Sequence, residues 1–303
     1  MVFHGFKLSL FCHAAVRGET VILGPALEAA VEHQNLPTAV KTLVGEMAAS
    51  ALLCAAALEF DGSVVLQAQG DEKAPVRLIV VDVSKDLSFR INVTMRDWEE
   101  GISEKAGLRE LLNPAGGARC ALILDASNRP NGEAPYQGIV VLEGDSFAEA
   151  MEQYFARSEQ VETTLRLASD GKRAGGVMVQ KLPSTGGVLP EDFDADGWER
   201  IRLFAKSAKD EELLTLEPEE MNRRLFWEES PRVTLEKPVV FRCTCSPERI
   251  ENILLQFDRM ELLEKGSKDL TVTCRFCGKQ YVFTQADIDR IFAENHRNHP
   301  RPS

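Results

Sequence analysis

Two close pairs of cysteines constrain this chain more than anything else in it. Cys243 and Cys245 stand in the run Phe241-Arg-Cys-Thr-Cys245, and Cys274 and Cys277 in Thr273-Cys-Arg-Phe-Cys-Gly278, a C-x-C and a C-x-x-C separated by 28 residues. Four thiolates are what Zn²⁺ takes in a closed tetrahedral structural site, with no position left for substrate water. Gly278 suits the tight knuckle that follows such a pair, and its flanks, Leu270–Thr273 and Lys279–Phe283, read as the two strands of a hairpin. A thioredoxin-like redox motif belongs instead at a strand-to-helix junction, whereas a strand-like run follows here. Ordinary buried or disulfide-bonded cysteines are the third reading; two close pairs in one short segment favour the metal.

The C-x-C half has a geometric consequence. In an extended chain, residues i and i+2 share a face, with Cα atoms at or beyond the upper end of the disulfide range of about 4.4–6.8 Å. Cys243 and Cys245 can therefore grip one metal together, but they can bond to each other only if the backbone bends. Oxidation of this pair and retention of a metal-bound fold exclude one another, which is the geometry of a sensor.

A length of 303 residues predicts two or three domains, and 44% hydrophobic content is enough for a real core. The net charge of -12 argues against a nucleic-acid binder, because phosphate contacts need a basic face. The start, Met1-Val-Phe-His-Gly-Phe-Lys7, lacks a secretory pattern, and the most apolar window, Met47 to Leu58, is too short to span a bilayer. Seven cysteines without an export signal fit a reducing cytoplasm.

The fold class expected is α+β: an N-terminal antiparallel sheet domain with helices, a helical linker, and a small C-terminal zinc-binding domain. Residues 1–185 form the first domain. Helices are predicted over Ala26–His33 and Thr38–Glu59, the second buried against a sheet because it is apolar on most sides. Strand-like runs follow at Ser63–Gln69, Val76–Val83, Ser88–Thr94, Cys120–Asp125 and Gln137–Leu142, with connections short enough to imply antiparallel pairing. Residues 96–117 form a charged insertion carrying a short helix. Ser146, with Glu149 three residues on, caps a helix that runs to about Glu159, and Thr163–Ala168 and Gly176–Leu182 supply two more strands. Cys12, Cys54 and Cys120 read as small buried residues, with Cys12 set apart by its neighbour His13. No G-x-S-x-G, P-loop or G-x-G-x-x-G motif is present, so a non-enzyme is expected.

Residues 186–238 differ in character. Between Glu191 and Glu229 there are thirteen acids against six bases, interleaved with Trp198, Ile201, Leu203, Phe204, Leu225, Phe226 and Trp227. Helical stretches at Trp198–Ala208 and Pro218–Glu229 carry too much charge to fold alone, yet enough apolar surface to dock. They read either as a plain connector or as a marginally stable segment that hides an apolar surface until released. Residues 239–295 form the last unit, with Ser246-Pro247 starting one helix and Thr284 capping another; 296–303 are a tail in which His296 and His299 read as solvated. The apolar content of this unit is small, so bound metal would supply much of its stability.

The sequence resembles the heat-shock protein 33 family of redox-regulated bacterial holdase chaperones. The resemblance is carried by Phe241–Arg249 and Val272–Phe283, and upstream by Glu211–Leu216, Arg224–Glu229, Tyr154–Gln160, Pro135–Gly138 and Gly176–Pro183. Departures are the insertion at 98–117, the acidic run 191–196 and the end of the chain after Asn295. The resemblance implies one Zn²⁺ on Cys243, Cys245, Cys274 and Cys277 in a reduced, inactive state. It implies oxidation to Cys243–Cys245 and Cys274–Cys277 disulfides, zinc release, linker unfolding, homodimerisation and ATP-independent holding of unfolding proteins. Leu203, Phe204, Leu225, Phe226 and Trp227 are the candidate client-binding surface of the linker. Arg242, Arg249, Arg275 and Lys279 lie near enough in sequence to offset the charge of a zinc–tetrathiolate centre. Two rival functions are a zinc-ribbon module that binds a macromolecule and a thiol-disulfide oxidoreductase.

Overall fold

The structure, a computed structural model, describes residues 5–57, 61–98, 101–126, 134–183, 193–260, 262 and 269–298, with side chains for all of these except Cys12 and 294–298. The chain divides into two compact units, Met1–Arg242 and Cys243–Ser303.

The first unit is built on two sheets and one central helix. Strands β1 (Gly5–Phe11) and β2 (Val16–Leu23) form a hairpin that continues through β9 (Ala174–Lys181) to β8 (Thr163–Ser169). A fifth strand, β10 (Arg232–Pro238), pairs antiparallel with the free edge of β1. The second sheet has the order β11-β5-β4-β3-β6-β7: β3 is Gly62–Gln69, β4 Val76–Ser84, β5 Ser88–Met95, β6 Arg119–Ala126, β7 Tyr136–Val141 and β11 Val240–Phe241. It is antiparallel as the sequence predicts, except that the two-residue β11 runs parallel to β5. Helix α1 (Pro25–Val31) leads into α2 (Thr38–Ala57), which is buried on nearly every side and packs against strands of both sheets rather than one. At 20 residues α2 is long and apolar enough to cross a bilayer, but here it is the core helix of the unit.

Two short helices complete the periphery of that core. In the charged insertion, α3 (Leu108–Leu112) inserts Leu108, Leu111 and Leu112, and Asn113 fastens the turn after it by donating to the Leu142 carbonyl at 2.6 Å. Helix α4 (Phe147–Tyr154) starts where predicted, with Ser146 Oγ accepting from the Glu149 amide, and it runs on into a π-turn at Phe155–Glu159. Cys54 and Cys120 are buried in this core, and burial pushes both thiols up to about 12. The side chain of Cys12 lies outside the described residues.

Residues 193–238 belong to the first unit. Helices α5 (Gly197–Lys206), α6 (Asp210–Thr215) and α7 (Pro218–Phe226) lie on the face of the five-stranded sheet that α2 does not cover. Their Trp198, Ile201, Leu213 and Met221 form an apolar layer with Phe11, Val16, Val177 and Val179 of the strands. The segment read as helical therefore also ends in a strand, β10.

The second unit contains α8 (Pro247–Leu254), the hairpin β12 (Asp269–Thr273) and β13 (Gln280–Thr284), and α9 (Gln285–Asn298). Ser246 Oγ caps α8 through the Arg249 amide with Pro247 at the first helical position. Thr284 and Asp287 cap α9 reciprocally, at 3.2 and 3.0 Å. Helix α8 ends at Leu254, followed by a turn at 255–257, and the side chains of His296 and His299 fall outside the described residues.

Candidate metal centre

The hairpin fixes the second cysteine pair. The Cys274 amide donates to the Lys279 carbonyl at 2.9 Å, and the Gly278 amide returns to the Cys274 carbonyl at 2.8 Å. That closure needs a left-handed residue, and Gly278 takes it at φ 71° without a Cβ penalty. The first pair arrives on the extended run between β11 and α8, with Ser246 beginning the helix directly after Cys245.

The four Sγ atoms all lie within 4.8 Å of one another. A tetrahedral metal with bonds of about 2.3 Å to sulfur needs edges of about 3.8 Å. Cys243 and Cys274 are separated by 3.7 Å, and Cys245 and Cys277 by 3.4 Å. The donor set and its spacing thus fit one four-coordinate ion, and the quartet can bind a metal. Cys274 is buried and the other three are half-buried. Around them pack Ile250, Leu254, Tyr281, Phe283, Ile288 and Ile291, so the sulfurs are part of a small core.

The free thiols are not equivalent. Burial pushes the Cys277 thiol up to about 12 and raises Cys243 as well. At Cys245 burial also opposes ionisation, but hydrogen bonds from Tyr281 and the neighbouring thiols outweigh it and hold the group down at about 7. Tyr281 is the residue that sequence reasoning missed: its hydroxyl donates to Cys245 Sγ at 3.1 Å. Its inward alternation with Phe283 on β13 was the available signal. Three of the four basic residues near the quartet in sequence have partners other than the sulfurs. Arg242 pairs with Asp86, Arg249 donates to the Thr244 hydroxyl at 2.6 Å, and the Lys279 ammonium sits 5.1 Å from the Tyr281 ring centre.

The other candidate residues divide by burial. Leu225 and Phe226 are buried, Phe226 meeting Phe11 edge-on at 5.1 Å between ring centres. Phe204 is partly buried against the same layer. Leu203 and Trp227 face solvent, at 55% and 68% exposure, and need no rearrangement to be reached.

Fold and site together define a two-unit protein: an α+β body carrying a docked helical segment, followed by a small unit whose core includes a four-cysteine cluster able to hold a metal ion. A family profile described as Hsp33 protein matches residues 8–284. The chain is 37% identical over 287 residues to the 33 kDa chaperonin of Chromobacterium violaceum, covering 93% of this chain and 92% of that one. Its identity to the 33 kDa chaperonin of Pseudomonas paraeruginosa is 38%, with 94% and 93% covered. The crystal structure of the 33 kDa chaperonin (heat shock protein 33 homolog) of Thermotoga maritima superposes with a TM-score of 0.79, at 22% identity, over 97% of this chain and 99% of that one, which shows a shared fold. The chain belongs to the Hsp33 family of chaperones.

Proposed function

We propose that this chain is a redox-regulated, ATP-independent holdase of the cytoplasm and not an enzyme, organised as a chaperone body (1–185), a releasable linker (186–238), a redox-switch unit (239–295) and a tail (296–303). The observation that carries the reading is the quartet itself, four sulfurs at tetrahedral spacing that also complete the core of the unit they sit in. Cys243, Cys245, Cys274 and Cys277 would hold one Zn²⁺, which in zinc-finger peptides supplies on the order of 10–16 kcal/mol of folding free energy.

Oxidation removes the ligands. Each disulfide, Cys243–Cys245 and Cys274–Cys277, forms from two thiols that give up two electrons and two protons, and peroxide accepts them to become two waters. Joining Cys243 to Cys245 bends an extended backbone, so the packing around Ile250 and Tyr281 is lost with the site. The linker is then released and uncovers Leu225 and Phe226 beside Phe204 and the already exposed Leu203 and Trp227. Released apolar surface on a chain of net charge -12 holds unfolding clients while resisting its own precipitation. The active form is a homodimer and binds neither nucleic acid nor membrane.

The test is an oxidant titration in which zinc release, free thiols and aggregation of a thermally unfolding client are followed in parallel. Holding should appear at near one-to-one ratios as four thiols and one zinc disappear. Turnover of a dithiol substrate by a stably folded protein would instead establish the oxidoreductase reading.

A further inference from the structure

The face of the five-stranded sheet beneath the linker helices is apolar in the middle and cationic at its margins. Its floor is Phe11, Val16, Val177 and Val179. At one margin Lys7 of β1, only 6% exposed, lies 3.6 Å from Glu219 of α7 and 3.5 Å from Glu236 of β10. At the other, Arg166 of β8 donates to Asp210 of α6 at 2.8 Å and to the Ala208 carbonyl. His13 meets Glu229 at 3.2 Å. Lys7 and Arg166 thus stand on β1 and β8, and their carboxylate partners Glu219, Glu236 and Asp210 on the segment 210–236, while Glu229 is shared with Arg200 of the linker itself at 2.8 Å. On the body side, Glu162 is occupied by Lys181 at 2.7 Å and by the Trp198 indole at 3.0 Å, and Glu46 of α2 lies within electrostatic reach of both Arg166 and Asp210.

We infer that this sheet face, once vacated, selects apolar client segments flanked by acidic residues, with Lys7 and Arg166 as the specificity-determining residues and the chain's own segment 210–236 as the resident mimic of such a client. The inference rests on the release of the linker set out under the proposed function. Undocking strips Lys7 of both carboxylates, Glu219 of α7 and Glu236 of β10, and leaves its ammonium open to another carboxylate. The apolar floor accepts any greasy segment; the two margins add the discrimination, by rewarding acids and leaving bases opposed to like charge. The net charge of -12 repels acidic chains at a distance, so the selection acts at contact and appears in dissociation rates rather than association rates.

The experiment uses the oxidised full-length chain and two labelled peptides: the sequence of residues 210–226, and the same sequence with its six acids replaced by lysine. Fluorescence anisotropy should show the acidic peptide binding about tenfold tighter, with a difference that shrinks as salt rises, and neither peptide bound by the reduced chain. Arg166→Glu should shift the preference toward the lysine peptide, a reciprocal change that mere loss of structure does not produce. Lys7→Gln should reduce the preference independently, and circular dichroism confirms that each variant is folded. Equal affinities in the unmodified chain, or an unaltered preference in folded Arg166→Glu, would overturn the inference while leaving the holdase reading in place. An oxidised chain that neither suppresses client aggregation nor binds either peptide would overturn both.

Discussion

Tyr281 donates its hydroxyl to the Cys245 sulfur at 3.1 Å, joining the last strand of the hairpin to the C-x-C pair 36 residues earlier. The bond favours the thiolate of Cys245, the form that would hold a metal, and orients it from outside the four-sulfur set. Outer contacts of this kind typically change metal affinity by 10–100-fold. Tyr281→Phe keeps the ring in the small core, where Tyr281 is 6% exposed, and removes only the donor. We expect zinc affinity to fall about tenfold in competition with a chromophoric chelator, with the fold retained at saturating zinc.

Metal removal should act on one unit and spare the other. The second unit closes its core with few large side chains besides the cysteines, whereas the first has α2 between two sheets. Chelation under reducing conditions should abolish amide protection over 269–284 while α2 and the strands of the first unit stay protected, as measured by hydrogen exchange. Uniform loss of protection would mean that the metal holds the whole chain together.

The parts of this architecture legible in the sequence were those whose chemistry is local. The quartet, its knuckle glycine, the Ser246-Pro247 and Thr284 caps and the long apolar α2 follow from spacing and residue type. Strands β1 and β2 did not show, because β2 interrupts its alternation with Arg17, Gly18 and Glu19, whose places are set by contacts remote in sequence: Arg17 donates to the Ala57 carbonyl at 2.7 Å and to Gln180 at 2.6 and 3.0 Å. Strand β10 was hidden by its charge and by Pro238; it is an edge strand with most side chains in solvent, as charged edge strands are. Tyr281 escaped because a hydrogen bond to sulfur leaves no spacing signature.

Glu19 makes the stability of the first unit depend on pH. It is fully buried on β2, with Arg17 Nε 3.5 Å from its carboxylate, and burial pushes its carboxyl up to about 8 against the pull of Arg17 and from an ordinary 4.5. The folded state therefore holds a proton that the unfolded chain releases. The stability this contributes is fully present below about pH 4.5 and is lost as pH rises through 8, with about 3 kcal/mol gone by pH 7. Glu19→Gln removes the titration. In urea unfolding from pH 5 to 8, the variant should gain on the parent steadily with pH, and a constant difference between the two would refute the linkage.

A close approach of the linker backbone to Gly175 of the sheet offers a way to release it without oxidation. A Cβ built on Gly175 of β9 would stand 1.9 Å from the Leu213 carbonyl oxygen in α6 and 2.8 Å from its carbon, distances that backbone cannot accommodate. The third neighbour, Ile22 Cδ1 at 3.1 Å, is the tip of a flexible side chain and can give way. Gly175 does not occupy the left-handed region, so alanine is compatible with the strand itself and the clash falls on the linker. Gly175→Ala should cost about 1–3 kcal/mol, the usual price of overpacking, and concentrate that cost on α6. Helix α6 has only six residues, and Leu213 is its buried anchor beside the polar attachments of Asp210 to Arg166, Glu212 to Arg224 and the Leu214 carbonyl to Arg173, so a clash at Leu213 acts on its one fully buried side chain. The reduced, zinc-loaded variant should then be cut by protease within 207–217 and suppress aggregation of an unfolding client, at a zinc content equal to that of the parent. If it remains both resistant to protease and inactive, docking of this segment does not hold the proposed reduced state inactive, and the trigger of the proposed switch has to be sought within the second unit alone.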